Sequence, residues 1–222
     1  MIVQIYTTQT PQEGLDLAEC GVDQIGVTPA KRGLPGEISL ELAASIFATI
    51  GDRAVKVALS VEEDINQIVD MVTVVKPDIL HLCGDINKVT PAQVAKIRLL
   101  LPDMPIMQAI PVTSQAALQI ARDFEPVSDY FILDSYSDQI GGIGAAGFTH
   151  DWSVSRAIVQ QSSIPVILAG GLTADNVAEA IQAVKPWGVD SLTHTNLPLA
   201  GGGFKKDIEK VRRFVTNAKA AG

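Results

Sequence analysis

Only two cysteines, Cys20 and Cys83, occur in the 222 residues, far apart and without the spacing of a metal-ligand cluster. That scarcity argues against a disulfide scaffold and for a reducing compartment in which both stay thiols. No window approaches the ~18 consecutive apolar residues of a membrane span. The opening Met1-Ile2-Val3-Gln4-Ile5-Tyr6 has neither a basic region nor a small-residue cleavage site, so it reads as a strand rather than a secretion signal. Positive charge is not in excess either. The net charge is −8, which disfavours nucleic acid and anionic membranes as partners. No Gly-x-Gly-x-x-Gly follows the first strand, and no set of histidines and carboxylates converges at suitable strand ends, so neither a nucleotide cofactor nor a metal is expected. The expected setting is the cytoplasm, and the oligomeric state is not legible.

What is present is a strict alternation. With 47% hydrophobic and 19% charged residues the chain can bury a substantial core. Short apolar runs, each followed by a helical pattern, repeat eight times: Ile2 to Tyr6 with Pro11 to Cys20, Gln24 to Thr28 with Leu40 to Ile50, Ala54 to Leu59 with Val61 to Val75, and Pro77 to Cys83 with a helix after Thr90-Pro91. Pro105 to Val112 pairs with Ser114 to Phe124, Tyr130 to Asp134 with Trp152 to Gln161, Val166 to Ala169 with a helix ending near Val184, and Gly188 to Thr193 with Lys206 to Lys219. No consecutive strands suggest hairpins, so the pairing should be parallel through right-handed crossovers. An open doubly wound sheet needs similar alternation, but eight units in this length fit a closed α/β barrel, the (β/α)8 TIM barrel, as one domain over 1–222.

In such a barrel the chemistry lies at the C-terminal ends of the strands. The stretch Ile164 to Val177 carries an unalternating strand, the pair Gly170-Gly171, and Thr173 as a helix N-cap. This combination presents backbone N–H groups to an anion, although a plain tight turn would use the same residues. Gly141-Gly142-Ile143-Gly144 after the sixth strand and Thr193-His194-Thr195 after the eighth flank it, and Gly201-Gly202-Gly203 precedes the last helix. Gly142, Gly144, Gly170, Gly171, Thr193 and His194 are therefore the candidate phosphate ligands, His194 being equally able to pack. Asp134 ends an apolar strand, where partial desolvation raises a carboxyl pKa and suits it to general acid work. Arg32, beside Lys31, is a candidate for a substrate carboxylate, or equally an ordinary solvated loop cation. His81 and Cys83 share one face of the fourth strand by its two-residue period.

These motifs resemble the phosphoribosylanthranilate isomerase family, a barrel enzyme of tryptophan biosynthesis. Leu133-Asp134-Ser135, Gly141-Gly142-Ile143-Gly144 with Asp151-Trp152, Leu168-Ala169-Gly170-Gly171-Leu172 with Asn176-Val177, and Gly203-Phe204-Lys205-Lys206-Asp207 are each similar to a family signature. His81-Leu82-Cys83-Gly84 looks like a degraded Gln-Leu-His-Gly, and Asp190 to Asn196 like an Asp-x-Ser-Ser-Gly-x-Glu that has lost its glycine and glutamate. The resemblance implies an Amadori rearrangement of an aminoaldose phosphate, with Asp134 protonating the furanose ring oxygen. It also implies a base at the end of the first strand, a cysteine in the family. Here Gln4-Ile5-Tyr6-Thr7 stands in that place. Tyr6 is a poor base unless a cation lowers its pKa, and Cys83 could substitute as a thiolate or else be a small buried thiol with no chemistry. Alternatives are a divergent phosphosugar barrel with another isomerase or lyase reaction, and a phospholigand sensor without turnover.

Overall fold

The computed structural model describes residues 1–137, 142–143 and 149–222. Eight parallel strands form the frame: β1 (Ile2–Ile5), β2 (Gln24–Pro29), β3 (Val55–Ser60), β4 (Ile79–Leu82), β5 (Ile106–Pro111), β6 (Tyr130–Asp134), β7 (Val166–Leu168) and β8 (Gly188–Ser191). Each pairs with the next in sequence, and β1 pairs with both β8 and β2, so the sheet closes on itself. Closure leaves no edge among the eight. The helices between them are α1 (Pro11–Glu19), α2 (Leu40–Ile50), α3 (Ile65–Val75), α4 (Pro91–Leu100), α5 (Ala117–Phe124), α6 (Trp152–Gln161), α7 (Val177–Val184) and α8 (Ile208–Ala221).

Two apolar layers follow from the strand period. Outward residues such as Ile5, Ile25, Leu80 and Leu133 pack against the helices, and inward ones such as Val57, Ile79, Met107, Ile132 and Ile167 fill the barrel. Because both faces are buried, the strands read as continuous apolar runs, which is why they are legible.

Boundaries shift where side chains compete for backbone groups. α3 begins at Ile65 rather than near Val61, because the Asp64 carboxylate caps it by accepting from the Asn66 amide. α8 begins after Asp207, which caps it, and Lys206 lies instead in a short antiparallel ladder pairing Asn196–Pro198 with Phe204–Lys206. A second ladder pairs Tyr136–Ser137 with Gly142–Ile143. These hairpins beyond the strand ends correct the expectation that none would occur.

Candidate active site

The C-terminal strand ends converge on a cleft of roughly 600 Å³, its open mouth included, lined among others by Tyr6, His81, Cys83, Asp134, Asp190 and Leu192. Leu34 and Pro35, from the loop after β2, line it as well. The chemistry thus comes from β1, β4, β6 and β8, as the alternation of inward side chains requires.

Asp134 is half-buried at the end of β6, and its Oδ1 accepts from the Ser135 amide at 2.7 Å. Burial pushes its carboxyl up to about 7, with the Ser135 N–H opposing the rise. Asp190 is buried on β8, beside Gln4 of β1, whose Nε2–H donates to its Oδ1 at 3.2 Å. Its carboxyl is raised to about 8, first by burial and then by the negative charge of Asp134, while Gln4 and Lys206 oppose. Two carboxyls in one cleft are therefore raised into the range where they titrate around neutral pH. Lys206 is itself buried, its Nζ donating to Asn196 Oδ1 at 2.7 Å, and burial lowers its ammonium to about 7.

Tyr6 and His81 form a buried pair, with the phenol oxygen 2.5 Å from Nδ1. Burial, Asp190 and Cys83 hold the phenol well above its ordinary value, and burial lowers His81 to about 3. A neutral imidazole beside a protonated phenol accepts the phenol O–H at Nδ1 and carries its own hydrogen on Nε2. That Nε2 is buried and meets no hydrogen-bond partner among the described residues. Burial, Asp134 and Asp190 push the Cys83 thiol far up as well. Burial and the neighbouring acidic groups weigh against the base roles considered for Tyr6 and Cys83, because they favour the acid form of each.

Gly170 and Gly171 follow β7 at φ of +83° and +63°, in the left-handed region that favours glycine. A Cβ on Gly170 would lie 2.8 Å from His150 Nδ1 and 2.9 Å from Ser135 Oγ, so this loop packs directly against the Asp134 strand end. No hydrogen bond among the described residues engages either glycine amide. Thr173, expected as the helix N-cap, caps the preceding turn, its Oγ1 accepting from the Asp175 and Asn176 amides, and α7 starts after Asn176. Thr193 is exposed and His194 half-buried in a single 3-10 turn, Thr193–Thr195, after β8. Ser191 Oγ donates to the Leu172 carbonyl at 2.9 Å, tying the two loops together. Gly142 sits in the hairpin after β6, whereas Gly144 lies outside the described residues.

Arg32 takes the second of the two readings open to it, that of a surface cation. Its guanidinium forks the Glu62 carboxylate at 2.6 and 3.0 Å on the surface, and Leu34 and Pro35 of the same loop line the cleft instead. Sequence reasoning quoted Asp190 and Lys206 only within family-like motifs and gave neither a role, and it passed over His150. The signal for Asp190 was a polar residue breaking an apolar strand, matched by Gln4 in Ile2–Ile5, but only the register puts those two side by side. Lys206 was legible only as part of the motif Gly203-Phe204-Lys205-Lys206-Asp207, since a lysine before a helix otherwise reads as solvated.

The chain matches the family profile described as N-(5'phosphoribosyl)anthranilate (PRA) isomerase over residues 31–217. It is similar to the N-(5'-phosphoribosyl)anthranilate isomerase of Methanocella arvoryzae, at 33% identity over 98% of this chain and 97% of that one. The Haloferax volcanii protein of the same name is 35% identical, covering 97% of this chain and 90% of the relative. Among solved structures, phosphoribosyl anthranilate isomerase from Thermotoga maritima superposes with a TM-score of 0.81 at 25% identity, over 99% of this chain and 100% of that one. The Thermus thermophilus structure gives a TM-score of 0.82 at 19% identity, with full coverage of both chains. Another isomerase of this kind, 23% identical with a TM-score of 0.79 and covering 99% of this chain and 100% of that one, was solved in complex with reduced 1-(o-carboxyphenylamino)-1-deoxyribulose 5-phosphate.

Proposed function

The chain belongs to the N-(5'-phosphoribosyl)anthranilate isomerase family, and on that premise we propose that it performs the family's aldose–ketose rearrangement in tryptophan biosynthesis. The substrate is N-(5'-phosphoribosyl)anthranilate and the product the corresponding aminoketose phosphate. The observation that carries the mechanism is Asp134, a carboxyl kept partly protonated at neutral pH in the cleft. As general acid it protonates the furanose ring oxygen, so that the C1–O bond breaks and the nitrogen lone pair forms an iminium.

The dianionic phosphate is assigned to the amides of Gly170 and Gly171 and to the turn Thr193–Thr195, which adjoin through the Ser191–Leu172 bond. Backbone dipoles suit an anion on a protein of net charge −8, where bulk charge would not attract it. The solved complex with a reduced phosphorylated ligand supports the same substrate class. His81 Nε2–H is a fixed, buried donor for a substrate hydroxyl. Among the described residues no helix is long and apolar enough to cross a membrane, and a cytoplasmic setting suits a soluble phosphosugar substrate.

Purified protein is expected to convert phosphoribosylanthranilate in a fluorescence assay following loss of the anthranilate signal. Asp134→Asn should lower kcat by about 10²- to 10⁴-fold, the usual reach of general acid catalysis, with little change in phosphosugar affinity. Absence of turnover in the unmodified protein, beside an active relative, would remove this reading.

A further inference from the structure

Resting on the isomerase reading, we propose that Asp190 is the base that takes the proton from C2 of the sugar, in place of the cysteine this chain lacks on its first strand. β8 lies directly beside β1, with Asp190 in register with Gln4. The Asp190 carboxyl lines the same cleft as Asp134 and Tyr6, one strand away from the end of β1.

The other titratable groups at the cleft are already committed. Tyr6 gives its O–H to His81 Nδ1, and His81 Nε2 bears the remaining imidazole hydrogen, so neither nitrogen offers a lone pair. Cys83 faces two carboxyls in a buried site, which disfavours its thiolate. Lys206 aims its Nζ at Asn196 Oδ1, with the Leu192 carbonyl and Thr195 Oγ1 at 3.5 Å. Two carboxyls remain, and the charge of Asp134 raises Asp190 further, which disfavours both being ionised together. Around Asp190 the Gln4 N–H and the Lys206 cation, itself held by Glu13, favour the ionised form. Asp134 receives a single backbone N–H from Ser135. The reactive form is the one with the proton on Asp134 and the charge on Asp190, where Gln4 and Lys206 stand against it; with Asp134 raised to about 7 and Asp190 to about 8, that form is a minority of the protein, largest between those two pH values.

The electron balance closes on this pair. Asp134 gives its proton to the ring oxygen as the C1–O bond breaks and C1=N⁺ forms. Asp190 then takes the C2 proton, the C–H electrons become the C1=C2 bond, and the iminium electrons return to nitrogen. Ketonisation adds one proton at C1 and releases one from the C2 hydroxyl, so the site ends with the protons it began with. No oxidant or reductant is consumed.

The test compares wild-type protein with Asp190→Asn and Asp190→Glu on phosphoribosylanthranilate, following kcat/KM against pH. Asparagine keeps the shape and the Gln4 contact. Expected are a bell-shaped wild-type profile, a fall of about 10²- to 10⁴-fold in Asp190→Asn with its acidic limb gone, and at least tenfold recovery in Asp190→Glu. Turnover in Asp190→Asn within tenfold of wild type, or activity lost in Cys83→Ser while Asp190→Asn retains it, overturns the assignment and leaves the isomerase standing. Inactive wild-type protein overturns both. Should the asparagine variant not fold, the wild-type profile decides alone, because activity climbing steadily to pH 10 would mark a thiol or phenol base instead.

Discussion

Tyr6 illustrates how one residue is shaped by what its neighbours omit. Its ring lies so close to Gly26 of β2 that a Cβ there would come within 2.3 Å of it. Gly26→Ala should therefore cost about 1–3 kcal/mol of stability by overpacking, read as a lower urea midpoint at unchanged slope. A loss near the usual exposed-strand scale of a few tenths of a kcal/mol would mean that the ring moves aside freely. The weakness of Tyr6 as a base was legible from its chemistry, since a phenol needs a nearby cation to ionise at neutral pH. That it instead donates to His81 was not, because 75 residues separate the two and only barrel closure brings β1 within reach of β4. Asp134 was legible for the opposite reason: a carboxylate ending an apolar run announces its own desolvation.

At the scale of elements, the β7–α7 connection joins the two halves of the site. Gly170 is confined twice, by φ of +83° and by His150 and Ser135 on the side where a Cβ would project. Gly203, at φ +74°, has nothing within 4 Å of such a Cβ. Gly203→Ala should thus cost only the left-handed strain of about 1 kcal/mol, and Gly170→Ala about 2–3 kcal/mol, with KM raised as the loop shifts. Equal losses in denaturant melts of the two variants would show that crowding at Gly170 adds nothing. The strands were legible because parallel barrel strands bury both faces and read as apolar runs. The helix starts were less so, since Asp64, Thr173 and Asp207 each decide locally which amides leave the helix ladder. The short ladder Asn196–Pro198 with Phe204–Lys206 escaped notice because three residues a side carry no usable period.

For the molecule as a whole, the groups that equip the cleft also weigh on folding. Asp134 and Asp190 keep protons up to about 7 and about 8, whereas the unfolded chain releases them near 3.8. The folded state then binds more protons, and stability declines as pH rises through that window. His81 and His150 act in reverse: burial keeps them neutral down to about 3 and about 4, while in the unfolded chain they charge below 6.5. Between roughly pH 4 and 6.5 the two pairs offset each other; above it the carboxyls lower stability further, opposed from about pH 7 upward by Lys206, whose ammonium burial lowers to about 7. Removing one carboxyl without changing shape isolates its share. Asp134→Asn should match wild type in stability at pH 4 and exceed it by about 2 kcal/mol at pH 8, the full shift being discounted because the residue is half-buried. Paired denaturant melts at the two pH values measure the gap. A gap of equal size at both would mean that Asp134 titrates normally, and the proton it is assigned to deliver would then be absent at neutral pH.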